Sequence, residues 1–183
     1  MTSTYDPRML PLAAFARSGE QLSGSTPIAD LPRLYAQSVD AAHEVDAHFS
    51  VTGSERFDAT GHPQVWLHAS GQCQLTLECQ RCLRPARVGL AFERDFRFVA
   101  NEALAAVEDE ESEEDVLVFA RQFDLMELVE DELLMAMPLV PMHASCPEIP
   151  RFSVVDPDFD AAAPESVNPF AVLAHFKRTS PKD

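Results

Sequence analysis

The chain has 183 residues, of which 46% are hydrophobic, and its formal net charge is −16. This length supports one domain with a substantial core, and no apolar run reaches the ~20 residues that a membrane-spanning helix needs. The acidic balance repels nucleic acid from the molecule as a whole, which excludes generic binding to the phosphate backbone.

The first predicted elements are short. The N-terminus has no basic stretch followed by an apolar run, so it does not resemble a signal peptide, and we expect a cytoplasmic protein. Residues 10–19 favour a short helix, or an extended segment that leads into one, with Gly19 as the stop. Residues 24–27 indicate a break. Asp30 as N-cap and Pro32 in the first turn then predict a second short helix.

Three segments alternate between apolar and polar residues with a period of two, which is typical of half-buried strands. They are residues 45–51, 65–79 and 86–98. A short polar connection joins the last two, and therefore predicts a long hairpin. Cys79 and Cys82 both fall on the apolar parity of their own strands, so we expect their thiols to project to the same side at the hairpin tip.

An acidic run follows the hairpin, because residues 101–120 contain eight Asp or Glu and no Lys or Arg. Its densest part, residues 108–115, is most simply a solvated loop. Residues 116–119 predict a short strand. Asp124 then has the position of a capping residue at the start of an amphipathic helix that extends to about Met137.

Two charged residues are out of pattern in these elements. Glu132 falls inside the apolar arc of the predicted helix, and Arg94 falls on the apolar parity of its strand. A buried unpaired charge costs several kcal/mol, so we expect the two to pair if the helix covers the sheet. The alternative is that both lie at the margin of the layer with their heads in water. Glu130 falls on the polar side of the same helical wheel.

These elements predict an α+β fold with a curved antiparallel sheet, centred on the hairpin at residues 64–100 and covered by one amphipathic helix. Residues 1–150 form the predicted globular domain. Residues 151–183 are expected to form a mobile acidic linker and a short C-terminal helix that begins at Asn168. The apolar stripe of this helix (residues 170–176) docks on its own domain or on a partner, and the sequence leaves both open.

The cysteines suggest a metal site. A Cys79-x-x-Cys82 pair at a hairpin tip has the geometry of a zinc knuckle, and His143-x-x-Cys146 supplies two further ligands at a usable spacing. The alternative is that these cysteines are packing residues. Thioredoxin-like redox chemistry is disfavoured, because the pair turns a hairpin and does not open a helix. Cys73 is predicted to be a core residue.

Five arginines crowd the same hairpin of an otherwise acidic chain: Arg81, Arg84, Arg87, Arg94 and Arg97. The first three are candidate RNA-binding residues. The sequence has no motif for nucleophilic catalysis, phosphate binding by a glycine loop or a catalytic zinc pair. We therefore predict no catalytic residues. A zinc enzyme is disfavoured because four protein ligands leave no position for substrate.

Three blocks of sequence resemble the YceD family, whose bacterial and plastid members are named for accumulation of large-subunit ribosomal RNA. The blocks occur in the expected order, and the resemblance spans approximately residues 10–178. They are residues 77–82 (LECQRC), 128–134 (LVEDELL) with 138–143 (PLVPMH), and 168–173 (NPFAVL).

The resemblance implies a cytosolic protein needed for synthesis, processing or stability of 23S rRNA, with no established enzymatic activity. Two mechanisms stay open. In the first, the arginines of the hairpin bind ribosomal RNA, as a module stabilised by a possible structural zinc. In the second, the acidic surface acts as a chaperone for a basic ribosomal protein, and the charge balance slightly favours this mechanism.

Overall fold

The computed structural model describes residues 5–39, 45–147 and Phe170. It has the predicted α+β fold, with four α-helices and five strands in this part of the chain. None of the described helices is long and apolar enough to cross a membrane. In chain order the elements are α1 (Leu12–Ser18), β1 (Gln21–Pro27), α2 (Pro32–Tyr35), β2 (Asp46–Phe57), β3 (Pro63–Glu78), β4 (Pro85–Val99), α3 (Glu102–Asp109), β5 (Asp115–Val118) and α4 (Leu125–Met135).

The strands form one sheet in the order β1-β2-β3-β4-β5. The first four pair antiparallel, but β5 pairs parallel to β4, with Phe96 opposite Asp115. The expectation of a purely antiparallel sheet was therefore wrong. The reason is the connection through α3, which crosses over before the chain enters β5, as a parallel connection requires.

The long hairpin is confirmed. β3 and β4 stay in register from Val65 opposite Phe98 to Glu78 opposite Pro85. The alternation read from the sequence corresponds to alternating burial, since Leu67, Ala69, Cys73 and Leu75 are all buried. This face of the sheet is the base of the hydrophobic core.

The sheet begins one strand earlier than the sequence predicts. The expected break at residues 24–27 is part of β1, which pairs with β2 along its whole length. Gly24 faces the ring of Phe49, and a Cβ atom at this glycine would lie 3.0 Å from Cζ of the ring. The strand was missed because only Leu22 and Thr26 are buried in it, too few to show a period of two.

More than one helix covers the core. α1 forms as predicted and ends at Gly19, which has a left-handed φ of 64°. Its buried side chains include Phe15, and a Cβ atom at Gly53 of β2 would lie 2.7 Å from the carbonyl oxygen of Phe15. α1 therefore packs directly on the sheet.

α2 forms where it was predicted, but Asp30 is not its cap. The N-cap position is Leu31, which has no side chain that could accept a hydrogen bond. Instead, Glu130 of α4 accepts hydrogen bonds from the backbone N–H groups of Arg33 (2.7 Å) and Leu34 (3.1 Å). Glu130 is consequently buried, and its expected position on a solvated face was wrong.

α4 begins as predicted and ends at Met135, two residues before the expected end. The Asp124 side chain accepts from the backbone N–H groups of Met126 (2.9 Å) and Glu127 (3.1 Å). Leu125, Val129 and Leu133 are fully buried against the sheet. The cap and the apolar stripe thus specify this helix in the way that the sequence suggested.

The acidic run is more ordered than the solvated loop that was expected. Its first part lies in α3, capped by the side chain of Asn101. Arg97 is buried and pairs with Glu108 and with Glu114, the latter at 2.6 Å. These ion pairs hold both ends of residues 108–114 against the sheet.

The predicted linker and C-terminal helix at residues 151–183 lie outside the described residues, except for Phe170. The boundary near residue 150 and the docking of the C-terminal helix stay predictions.

Candidate metal centre and basic hairpin tip

The hairpin between β3 and β4 closes in a compact turn. The N–H of Cys79 donates to the carbonyl of Arg84 (3.0 Å), and the N–H of Leu83 donates to the carbonyl of Cys79 (2.8 Å). Leu83 has a left-handed φ of 58°, which costs a non-glycine residue roughly 1–2 kcal/mol. A turn that keeps this conformation brings Cys79 and Cys82 to one side.

The structure brings the four predicted ligands together. One ligand atom from each of Cys79, Cys82, His143 and Cys146 lies within 4.8 Å of all the others. Sγ of Cys79 lies 3.9 Å from Sγ of Cys146, and Sγ of Cys82 lies 3.4 Å from Nδ1 of His143. Two thiolates on a tetrahedral zinc with Zn–S bonds of ~2.3 Å are separated by about 3.7 Å. The spacing therefore fits a tetrahedral metal ion.

The segment after α4 (residues 136–147) contacts the hairpin through backbone hydrogen bonds as well as through the cluster. The N–H of Gln80 donates to the carbonyl of Pro141 (2.9 Å). Nε2 of His143 lies 2.9 Å from the carbonyl of Pro85, and a carbonyl only accepts, so Nε2 carries the proton. Nδ1, on the other side of the ring, lies 3.4 Å from Sγ of Cys82 and is the nitrogen placed to bind a metal ion in the cluster.

The electrostatics of the cluster favour a thiolate. Burial raises the pKa of the Cys79 thiol, but hydrogen bonds from backbone N–H groups, first that of His143 and then that of Cys82, outweigh burial and lower it to about 5. Burial and the neighbouring thiols raise the pKa of Cys146. Cys79 is therefore the thiol that ionises readily, and a cation in the cluster would favour ionisation of its neighbours.

Cys73 does not belong to the cluster. It lies buried in β3, and burial raises its pKa to about 11. Its position in the core confirms the prediction and makes it a natural control for the four clustered residues.

The structure divides the five arginines of the hairpin into two groups. Arg94 and Arg97 form ion pairs with carboxylates of the same chain, which offset their positive charges. Arg81, Arg84 and Arg87 are exposed at or near the tip. The tip is thus a basic surface on an acidic molecule, next to the Cys3His cluster.

Two features of the site could not be read from the sequence. The carbonyl of Pro85 orients His143, but a backbone acceptor has no residue signature. Apolar side chains are also exposed in the two segments that carry the cluster residues. Leu83 is 68% exposed in the turn and Leu139 is fully exposed in the segment after α4. A run such as Leu139-Val140 resembles core sequence, and only the fold shows that it faces solvent.

Comparison with known proteins adds a family. The family model described as "Large ribosomal RNA subunit accumulation protein YceD" matches residues 67–177, a range that contains all four clustered ligands and the three exposed arginines. A protein of Haemophilus influenzae with the same name is 39% identical over 121 residues, which cover 63% of this chain and 68% of that protein. No solved structure matches the chain.

Proposed function

Because the chain belongs to the YceD family, we propose that it is a ribosome biogenesis factor that supports synthesis, processing or stability of 23S rRNA without catalysing a reaction. The matched family and the Haemophilus influenzae relative carry the accumulation of large-subunit ribosomal RNA in their names. Because bacterial ribosomes are assembled in the cytoplasm, we propose that the protein acts there.

The proposed contact with RNA is the basic hairpin tip. The observation that carries it is that Arg81, Arg84 and Arg87 are exposed together at the tip, whereas Arg97 is buried in ion pairs with Glu108 and Glu114. Arginine side chains at such a tip can bind phosphates in a single-stranded loop or at a duplex edge. The acidic remainder of the surface would restrict RNA to this one place.

We propose zinc as the ion that occupies the cluster. Three sulfurs and one imidazole nitrogen form a donor set that suits zinc, and four protein ligands leave no open position for water or substrate. Zinc would therefore act structurally, holding the segment after α4 on the turn at Cys79. This role agrees with a non-enzymatic function, and it fixes the shape of the tip that presents the arginines.

A second candidate is an acidic chaperone for a basic ribosomal protein. It is favoured by Glu110, Glu111 and Glu113, which are exposed and lie between the two carboxylates that anchor on Arg97. Because the segment that carries them is anchored at both ends, these three exposed side chains can receive lysine or arginine side chains of a partner. The two candidates use different surfaces, so variants can separate them.

The test is complementation of a strain that lacks the gene. The wild-type chain should restore the ratio of 23S to 16S rRNA, and a variant with Arg81, Arg84 and Arg87 all changed to Gln should not. A control variant changes Arg8, Arg17 and Arg121 to Gln, which removes the same charge elsewhere and should restore the ratio. A ratio that the deletion leaves unchanged under several growth conditions would contradict the proposed role.

A further inference from the structure

The sheet has two edges, and β1 forms one of them. In the antiparallel ladder with β2, the N–H of Gly53 donates to Glu20 and the N–H of Ile28 donates to the carbonyl of Val45. Glu20 and Ile28 flank β1 and are both even-numbered. In this register the even-numbered residues of β1 are therefore the ones whose backbone groups bond to β2. Because such bonds alternate along a strand, the odd-numbered residues direct their backbone groups away from the sheet.

These outward residues are Gln21, Ser23 and Ser25. Each carries one N–H donor and one C=O acceptor, and within residues 5–39 and 45–147 no backbone group pairs with any of them. The edge therefore presents three donors and three acceptors in the spacing of a strand. An edge of this kind is a template for another strand.

The opposite edge is protected. β5 has only four residues, and it begins with Asp115. The side chain of Asp109, at the end of α3, accepts a hydrogen bond from the N–H of Val116 (3.1 Å), which removes a donor from that edge. β1 has seven residues, no charge and no proline before its last position. Among the described residues, the fold thus blocks the β5 edge and leaves the β1 edge unpaired.

We propose that β1 is the interface of a symmetric homodimer, in which it pairs antiparallel with β1 of a second copy. The strand is self-complementary about Ser23. In this register Ser23 lies opposite its own copy and Gln21 lies opposite Ser25, so all six outward groups on each copy find partners. Leu22 lies opposite Gly24, which places a large side chain beside a residue that has none.

Charge does not oppose a second copy at this edge, although it does so elsewhere on the molecule. Two molecules with a net charge of −16 each repel one another over most of their surfaces. β1 is uncharged along its whole length, so pairing two copies places no carboxylates directly opposite one another, an arrangement that destabilises strand pairs. Contacts of this isologous kind give closed dimers and no larger assemblies.

The test is sedimentation of the full-length chain over a range of concentrations, comparing wild type with Ser23→Pro. Proline removes the outward N–H of residue 23, and no bond to β2 is lost, since an edge strand accepts proline where its N–H faces solvent. The wild-type chain should shift from monomer to dimer as concentration rises, and Ser23→Pro should stay monomeric. Ser23→Thr keeps the N–H and should dimerise like wild type.

A second measurement uses the wild-type chain alone and does not depend on the folding of a variant. The amide protons of Gln21, Ser23 and Ser25 should exchange with solvent more slowly at high protein concentration, and those of Leu22 and Gly24 should change less. A wild-type chain that stays monomeric at all concentrations would overturn the proposal. A dimer that Ser23→Pro leaves intact, or one without the added protection at the three amides, would overturn it as well.

Discussion

Nε of Arg94 in β4 lies 3.0 Å from Oε2 of Glu132 in α4. The two charged residues that were out of pattern in the sequence therefore form an ion pair, as predicted. The partners are unequal: the Glu132 side chain is 8% exposed, whereas Arg94 is 45% exposed and also bonds Asp115 at 2.9 Å. Burial raises the pKa of Glu132, and the charge of Arg94 opposes this effect.

This inequality predicts an asymmetric result when the pair is broken. Arg94→Met leaves a buried carboxylate without its partner and should lower the free energy of unfolding by about 1–3 kcal/mol. Glu132→Leu should cost less, because Arg94 keeps Asp115 and reaches water. The double variant should recover most of the loss in urea unfolding. Effects of the two changes that add within about 0.5 kcal/mol would show that the side chains do not interact.

Glu130 is predicted to contribute more to the stability of the fold than its neighbour Asp131 does. Glu130 is buried and accepts from two backbone N–H groups at the start of α2 and from Nε of Arg33. Glu130→Ala should therefore reduce the free energy of unfolding by about 2–3 kcal/mol. Asp131→Ala removes an exposed pair with the same arginine and should cost less than about 1 kcal/mol. Equal costs would contradict a capping role.

Glu114 makes part of the stability dependent on pH. Burial raises its pKa, but the hydrogen bond and charge of Arg97 outweigh burial and lower it below the ordinary value of 4.5. A lowered pKa stabilises the fold at pH values above the ordinary one, and this contribution is lost as pH falls through the lowered value. In denaturant unfolding, the stability difference between wild type and Glu114→Gln should shrink from about pH 7 to about pH 3. A constant difference would contradict the ion pair.

Elements with a strong internal pattern were predictable, and long-range partners were not. The hairpin and α4 carry their own signals: a period of two, a capping Asp124 and an apolar stripe. The four metal ligands were found because Cys79-x-x-Cys82 and His143-x-x-Cys146 have ligand spacing. The side chain of Glu130 was predicted on the polar side of α4 because a helical wheel describes one helix at a time. The groups that bury this carboxylate belong to α2.

The strand β1 shows a second limit. Its Ser and Gly residues have low strand propensity, and it is a strand because β2 supplies the hydrogen-bond partners. The acidic run shows a third, since the charge pattern correctly indicates exposure of Glu110 and Glu111 but does not reveal that Arg97 holds the run at Glu108 and Glu114.

Metal removal should loosen the tip. Protein purified without added metal should contain about one zinc per chain, and a strong chelator should lower its melting temperature, because the segment after α4 loses its cross-link to the hairpin. Cys146→Ser should lower zinc content in the same way. Cys73→Ala is the matched control: it can reduce stability through a lost core contact, but it should keep the zinc. Two results together would contradict the site: purified protein that contains no zinc, and a melting temperature that the chelator leaves unchanged.

Binding to RNA should depend on salt through the hairpin tip. Changing Arg81, Arg84 and Arg87 to Gln should weaken binding and reduce the slope of log affinity against log salt by ~2–3. The control with Arg8, Arg17 and Arg121 changed to Gln should keep the wild-type slope. Equal slopes for the two triple variants would place the contact elsewhere on the molecule.

The most direct test of the central claim is crosslinking in growing cells, followed by identification of what is bound to the chain. Direct RNA contact at the hairpin tip predicts crosslinks to 23S rRNA in the wild-type chain that are lost when Arg81, Arg84 and Arg87 are changed to Gln. A different result would contradict direct RNA contact and support the chaperone: crosslinks to a ribosomal protein and none to RNA. These crosslinks would be retained in the arginine variant and lost when Glu110, Glu111 and Glu113 are changed to Gln.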